Sequence, residues 1–155
     1  MAYDGIFRAE TILTTQLGAP FAAEVVTVNA EQTLSAPAPG TVYTYPLQDW
    51  PLGDNRPVEI LGPQGPLDGN QASTTGELVY WVTVSGNDAD RVTLAGHLKV
   101  YLTALVRVLD NQNAPDGRWS TSVGQVDYAP PQTGRDSTFT GAVGVQVTVH
   151  IADTK

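Results

Sequence analysis

The chain contains no cysteine, which excludes disulfides, thiolate zinc sites and cysteine nucleophiles while leaving the compartment open. Charge is also sparse. Charged residues are 15% of the 155, against roughly 25% in an ordinary globular domain, so uncharged groups fill much of the surface. Bases are scarcer than acids, 8 against 16, for a net charge of -8; that balance opposes a broad electrostatic grip on nucleic acid or anionic lipid. The bases are dispersed from Arg8 to Lys155, and no aromatic cluster is interleaved with them, as a single-strand binder would need. The most apolar helical stretch, VYLTALVRVL, is short and broken by Arg107, so no segment is expected to reach the roughly 20 apolar residues of a membrane span. The start MAYDGIFRAE carries Asp4, Arg8 and Glu10 where a secretory signal needs an apolar stretch, and the chain reads as unprocessed and soluble.

What is present is enough for a core. The hydrophobic content of 41% excludes wholesale disorder, and the length suits a single domain over residues 1–155. Asp4 can cap a first helix of about four turns, with Ile6, Ala9, Leu13 and Leu17 as its stripe and Gly18 and Pro20 placed to stop it. EVVTVN, Glu24 to Asn29, is rich in β-branched residues and favours a strand, although FAAEVV could instead prolong a helix. Ser35 to Gly40 is a breaker cluster, TVYTY from Thr41 to Tyr45 alternates like a strand, and PVEILG around Pro57 to Gly62 supplies another. Residues 62–76 offer almost nothing to bury and are expected to be a long surface loop.

The second half is better patterned. ELVYWVTVSG is apolar on both faces and suits a central strand. Asn87, Asp88 and Asp90 then offer caps for the longest helix, in which Leu94, Leu98, Leu102, Leu105 and Leu109 recur at intervals of four, four, three and four residues. Asn111, Asn113 and Pro115 stop it, and RWSTSVGQVDYA follows as an extended segment ending at Pro130 and Pro131. A polar loop over 130–138 precedes GAVGVQVTVHI, where Val143, Val145, Val147, Val149 and Ile151 share one face. Burying those five contributes about 7–15 kcal/mol before chain entropy is subtracted, so the strand needs a cover, and the leucine face of the long helix supplies it. The fold class expected is α+β: one mixed or antiparallel sheet packed on one side by a long helix and an N-terminal helix.

Chemistry is mostly missing. His97 and His150 fall on predicted polar faces, without an HExxH or a neighbouring carboxylate, and read as surface or interface residues. No serine carries a G-x-S-x-G elbow, and the glycines form neither a dinucleotide fingerprint nor a P-loop. The acids at Asp88 and Asp90 precede a helix and read as caps, not as a metal site. DNQNAPDG, from Asp110, resembles half a calcium loop but has Gln112 and Ala114 at ligand positions and Thr121 where a glutamate belongs. No catalytic residue, metal or cofactor is expected. Low charge, polar loops and strongly apolar strands instead suit a subunit that binds neighbours through loops and sheet edges. A carbohydrate-binding or adhesin-like module would use aromatics such as Trp50, Trp119 and Tyr128, but it is usually all-β, and the leucine helix counts against it.

The order of elements resembles that of the tail-terminator, or tail-completion, proteins of long-tailed bacteriophages. The likeness covers Glu77 to Ile151, through ELVYWVTVSG, DRVTLAGHLKVYLTALVRVLD, VGQVDYAPPQTGRDSTF and AVGVQVTVHI, and is weakest over Ser35 to Gly76. The resemblance implies a structural virion protein: a homo-oligomer, a hexameric ring, that caps the head-proximal end of the tail tube. It would assemble in the host cytoplasm and contact the tube protein and the head-completion protein. DNA would pass through without specific binding, past an acidic lining consistent with the -8 charge. Other head-tail joining proteins and tube proteins are the nearest alternatives. The resemblance places subunit contacts on the loop with Gln132, Arg135 and Asp136, with Arg135 expected to meet an acid of the neighbour; the long loop with Leu67, Asp68 and Asn70 is the other candidate contact, with the tube or the connector.

Overall fold

The computed structural model describes residues 5–35, 58–64, 76–88, 90–133 and 138–151. The predicted strand Thr41–Tyr45 lies outside them. The described chain is α+β, with the order α1 (Gly5–Gln16), α2 (Ala19–Ser35), β1 (Val58–Leu61), β2 (Gly76–Asp88), α3 (Arg91–Leu109), β3 (Gln112–Asn113), β4 (Trp119–Thr133) and β5 (Phe139–Ile151). The five strands form one sheet in the order β1-β2-β5-β4-β3, and every pairing is antiparallel.

Alternation along the two central strands divides the sheet into two unlike faces. Leu78, Tyr80, Val82 and Val84 of β2 and Val143, Val145, Val147, Val149 and Ile151 of β5 are all buried, and in register they stand side by side. α3 lies across them, with Leu94, Leu98, Leu105 and Leu109 buried and Leu102 only half buried. α3 is 19 residues long and apolar enough to cross a membrane by length and composition, which the break at Arg107 had argued against. Its burial against the sheet accounts for that apolarity.

The N-terminal region differs from expectation at Glu24–Asn29, which is helix within α2 and not strand. Leu17, Phe21, Val25 and Val28 recur at helical spacing and are all buried, so packing of that stripe overrides the β-preference of the valines. Pro20 does not stop a helix but sits in the first turn of α2, where its missing N–H has no intrahelical partner to lose. Arg107 of α3 reaches Glu24 at 3.1 Å and Glu31 at 2.9 Å on α2, a clamp on the exposed side of the helix pair.

The ends of α3 are well capped. Asp90, with extended φ and ψ of -108° and 117°, accepts from the Val92 amide at 3.4 Å and from the Thr93 hydroxyl. At the other end Asn111 takes the left-handed conformation at φ 57°. The last carbonyls find side chains: Gln16 Nε2 donates to Val108 O at 2.8 Å, and the buried Thr121 hydroxyl donates to Leu109 O at 2.6 Å.

Candidate interaction surface

The opposite face of the sheet carries Val79, Trp81 and Thr83 of β2 and Gln146 and Thr148 of β5, all partly buried. The described helices lie on the other side, where α1 and α3 contact the strands and α2 packs on α3. Gly144 is buried on this face, where a methyl group built on it would stand 3.2 Å from Thr83 Cγ2 and 3.6 Å from the Trp81 ring. Gln146 reaches Gln64 at 3.4 Å, and His150 faces Glu77 across strands at 3.4 Å.

The sheet's margins are uneven. β3 pairs only with Ser120 and Thr121 of β4, so among the described residues nothing pairs with the outer edge of β4 from Ser122 to Thr133. One amide on that edge is satisfied, since Val123 N–H donates to Asp110 Oδ1 at 3.0 Å. This is what Asp110 does in place of the calcium role considered for it. The register of β4 on β5 breaks twice, between Val123 and Val126 and between Ala129 and Gln132, leaving Val126–Ala129 as a regular stretch. Val126 is 55% exposed. β4 does not stop at the two prolines, as expected, but continues through Pro130 and Pro131 to Thr133. Proline is tolerated in a strand at an irregularity and on an edge whose amide would otherwise face outward, and both conditions hold here.

Of the residues singled out from sequence, Gln132 lies in β4, exposed and opposite Thr140, directly after the second break. Arg135, Asp136, Leu67, Asp68 and Asn70 lie outside the described residues, as does Trp50. Trp119 and Tyr128 are partly buried, and Tyr128 packs against the core instead of projecting as a ligand platform. His97 is not on a polar face: it is buried at 7% exposure. His150 is exposed, as expected. Among the described residues no group of three or more histidines and acids could hold a metal ion.

No family model, curated protein or solved structure matches this chain. The surface must therefore be read from its own geometry. One further apolar feature is a shallow cavity of about 310 Å³ lined by Phe7, Arg8, Thr11, Ile12 and Trp119, with Phe7 70% exposed. It is open and gathers no titratable pair. Sequence reasoning found β1 and the segment with Val126–Ala129 as extended chain but missed that they form the two margins of the sheet. The signal for the second was the Pro130–Pro131 pair, which marks an edge as readily as a strand end.

Proposed function

We propose that this chain is a structural assembly subunit, not an enzyme, and specifically a ring-forming tail-terminator protein of a long-tailed phage that caps the tube and offers a docking face to the head. The observation that carries the reading is the β4 edge from Ser122 to Thr133, with which no strand pairs among the described residues, on a sheet whose described helices all lie on one side. An open edge is a template for another strand, and one-sided helices leave copies free to stand side by side as a continuous wall. The order strand, long helix and closing strand pair, over Glu77 to Ile151, supports the more specific assignment.

Negative-stain images of the purified protein, alone and mixed with tail tubes, test this. The reading predicts closed rings, and tubes capped at one end. Long polymers of the protein alone would favour a tube protein, and single particles with uncapped tubes would count against both. In this reading the protein has no hydrolase activity, and DNA is not retained by it at physiological salt.

A further inference from the structure

We infer that copies of this chain join head to tail through their sheets, β1 of one copy pairing antiparallel with the Val126–Ala129 stretch of β4 in the next; this rests on the assembly reading above. Direction comes first. The sheet is antiparallel throughout and β1 is three pairings away from β4 in the order β1-β2-β5-β4, so the two strands run oppositely. Copies placed side by side in the same sense therefore set β4 against the next β1 as an antiparallel pair, with the helices of both on one side.

Hydrogen-bonding groups also face the right way. In an antiparallel ladder the N–H and C=O of one residue point to the same side, and alternate residues point alike. The Val123 amide faces the open edge, because it bonds Asp110 there; its partner Val147 therefore bonds β2. Val145, two residues on, does the same, so its partner Val126 presents its backbone outward, and so does Tyr128 opposite Val143. Following Val145 to Val82 and Val82 to Ile60, the alternation turns the backbone groups of Ile60 away from β2, toward the other margin of the sheet, with which no strand pairs among the described residues.

Side chains set the register. β1 has 4 residues; with Tyr128 opposite Ile60, three of them, Glu59, Ile60 and Leu61, meet Ala129, Tyr128 and Asp127 in the regular stretch between the two breaks of β4, and Val58 falls opposite Pro130. On the helix side, Val58 and Ile60 at one margin and Tyr128 at the other are only partly buried and pack against the core edge. Setting Tyr128 opposite Ile60 continues that apolar layer from copy to copy. It also sets Glu59 opposite Ala129 and Asp127 opposite Leu61, which is 52% exposed. A slip of one residue would reverse the faces; a slip of two in one direction would set Asp127 against Glu59, a like-charge pair that costs stability, and in the other would set Glu59 against Pro131, inside the second break of β4.

The absence of cysteine makes the test clean. Glu59→Cys and Ala129→Cys are each made singly, at exposed positions, and shown by circular dichroism and melting to fold like the parent. They are then oxidised alone and mixed, and run on a denaturing gel without reductant. The inference predicts a covalent dimer in the mixture well above either variant alone, and a ladder of oligomers from the double variant. Ala129→Cys cross-linking efficiently to itself would show two-fold β4 pairing and overturn the head-to-tail seam. Rings in the micrographs without covalent dimer in the mixture would overturn the seam and leave the assembly reading standing. A monomer at every concentration would overturn both.

Discussion

Single residues carry constraints that can be measured one at a time. Asp90 has its carboxyl held below the ordinary carboxylate range, chiefly by the Thr93 hydroxyl and then by the amides of Val92 and Thr93. Its folded value lies below its unfolded one, so the cap's contribution is complete above the ordinary carboxylate range and is lost as pH falls through the lowered value. Asp90→Ala should lower the melting temperature at neutral pH, Asp90→Ser should restore most of the loss, and the gap between parent and alanine variant should close in acid. Tyr80 behaves oppositely. Its hydroxyl is buried with no hydrogen-bond partner among the described residues, and burial, with Glu10 a smaller cause, raises its pKa above the usual phenol range. Tyr80→Phe removes an unsatisfied polar atom and should stabilise by about 1 kcal/mol in urea unfolding; a loss of that size would reveal a partner for the hydroxyl. Because the folded phenol holds its proton to higher pH, the parent's stability should fall as pH rises above about 10, and Tyr80→Phe should soften that fall. His97 shows where residue-level reading stops. A stripe counted on leucines alone leaves His97 off it, whereas the buried face also takes in Val100, Tyr101, Ala104 and Val108 and is wide enough to include it.

At the scale of elements, legibility followed the strength of the period. β5 and α3 were readable because their repeats of two and of three to four residues match their burial in the fold. α2 was harder, because Val25, Val26, Thr27 and Val28 favour extended backbone locally. Only the stripe they form with Leu17 and Phe21 reveals the helix, and it gains its energy from tertiary contact with α3, which local propensity does not contain. The α3-to-sheet contact is the support of everything else. Leu98 is fully buried, so Leu98→Asp sets an unpaired charge against the sheet and should abolish the cooperative melt seen by circular dichroism. Gly141 marks the same contact from the other side: a Cβ there would lie 2.6 Å from Leu98 Cδ1 and 3.0 Å from Ala129 O. Leucine can turn aside but the carbonyl cannot, so Gly141→Ala should cost about 1–3 kcal/mol of unfolding free energy. An unchanged midpoint would mean that the Ala129 carbonyl of β4 sits farther from Gly141 than described.

Among the described residues, the sheet has its helices on one face and a β4 margin from Ser122 to Thr133 with which no strand pairs. The interaction surface was less legible than the fold for a physical reason. Edges are defined by which strand fails to find a neighbour, a property of topology that no window of sequence reports. The two prolines hinted at it locally, and of Gln132, Arg135 and Asp136, singled out through resemblance, only Gln132 lies among the described residues, near the end of β4. An acidic chain at -8 repels its own copies at long range, so association through backbone pairing should strengthen as salt screens that repulsion. Sedimentation at rising ionic strength would show the shift toward larger species. The most direct measurement is the mass in solution by light scattering, taken across concentration at moderate salt. The account predicts a closed species of fixed size, a whole multiple of the 16.5 kDa chain, that does not grow further. The monomer mass at every concentration, or mass that increases without limit, would contradict it.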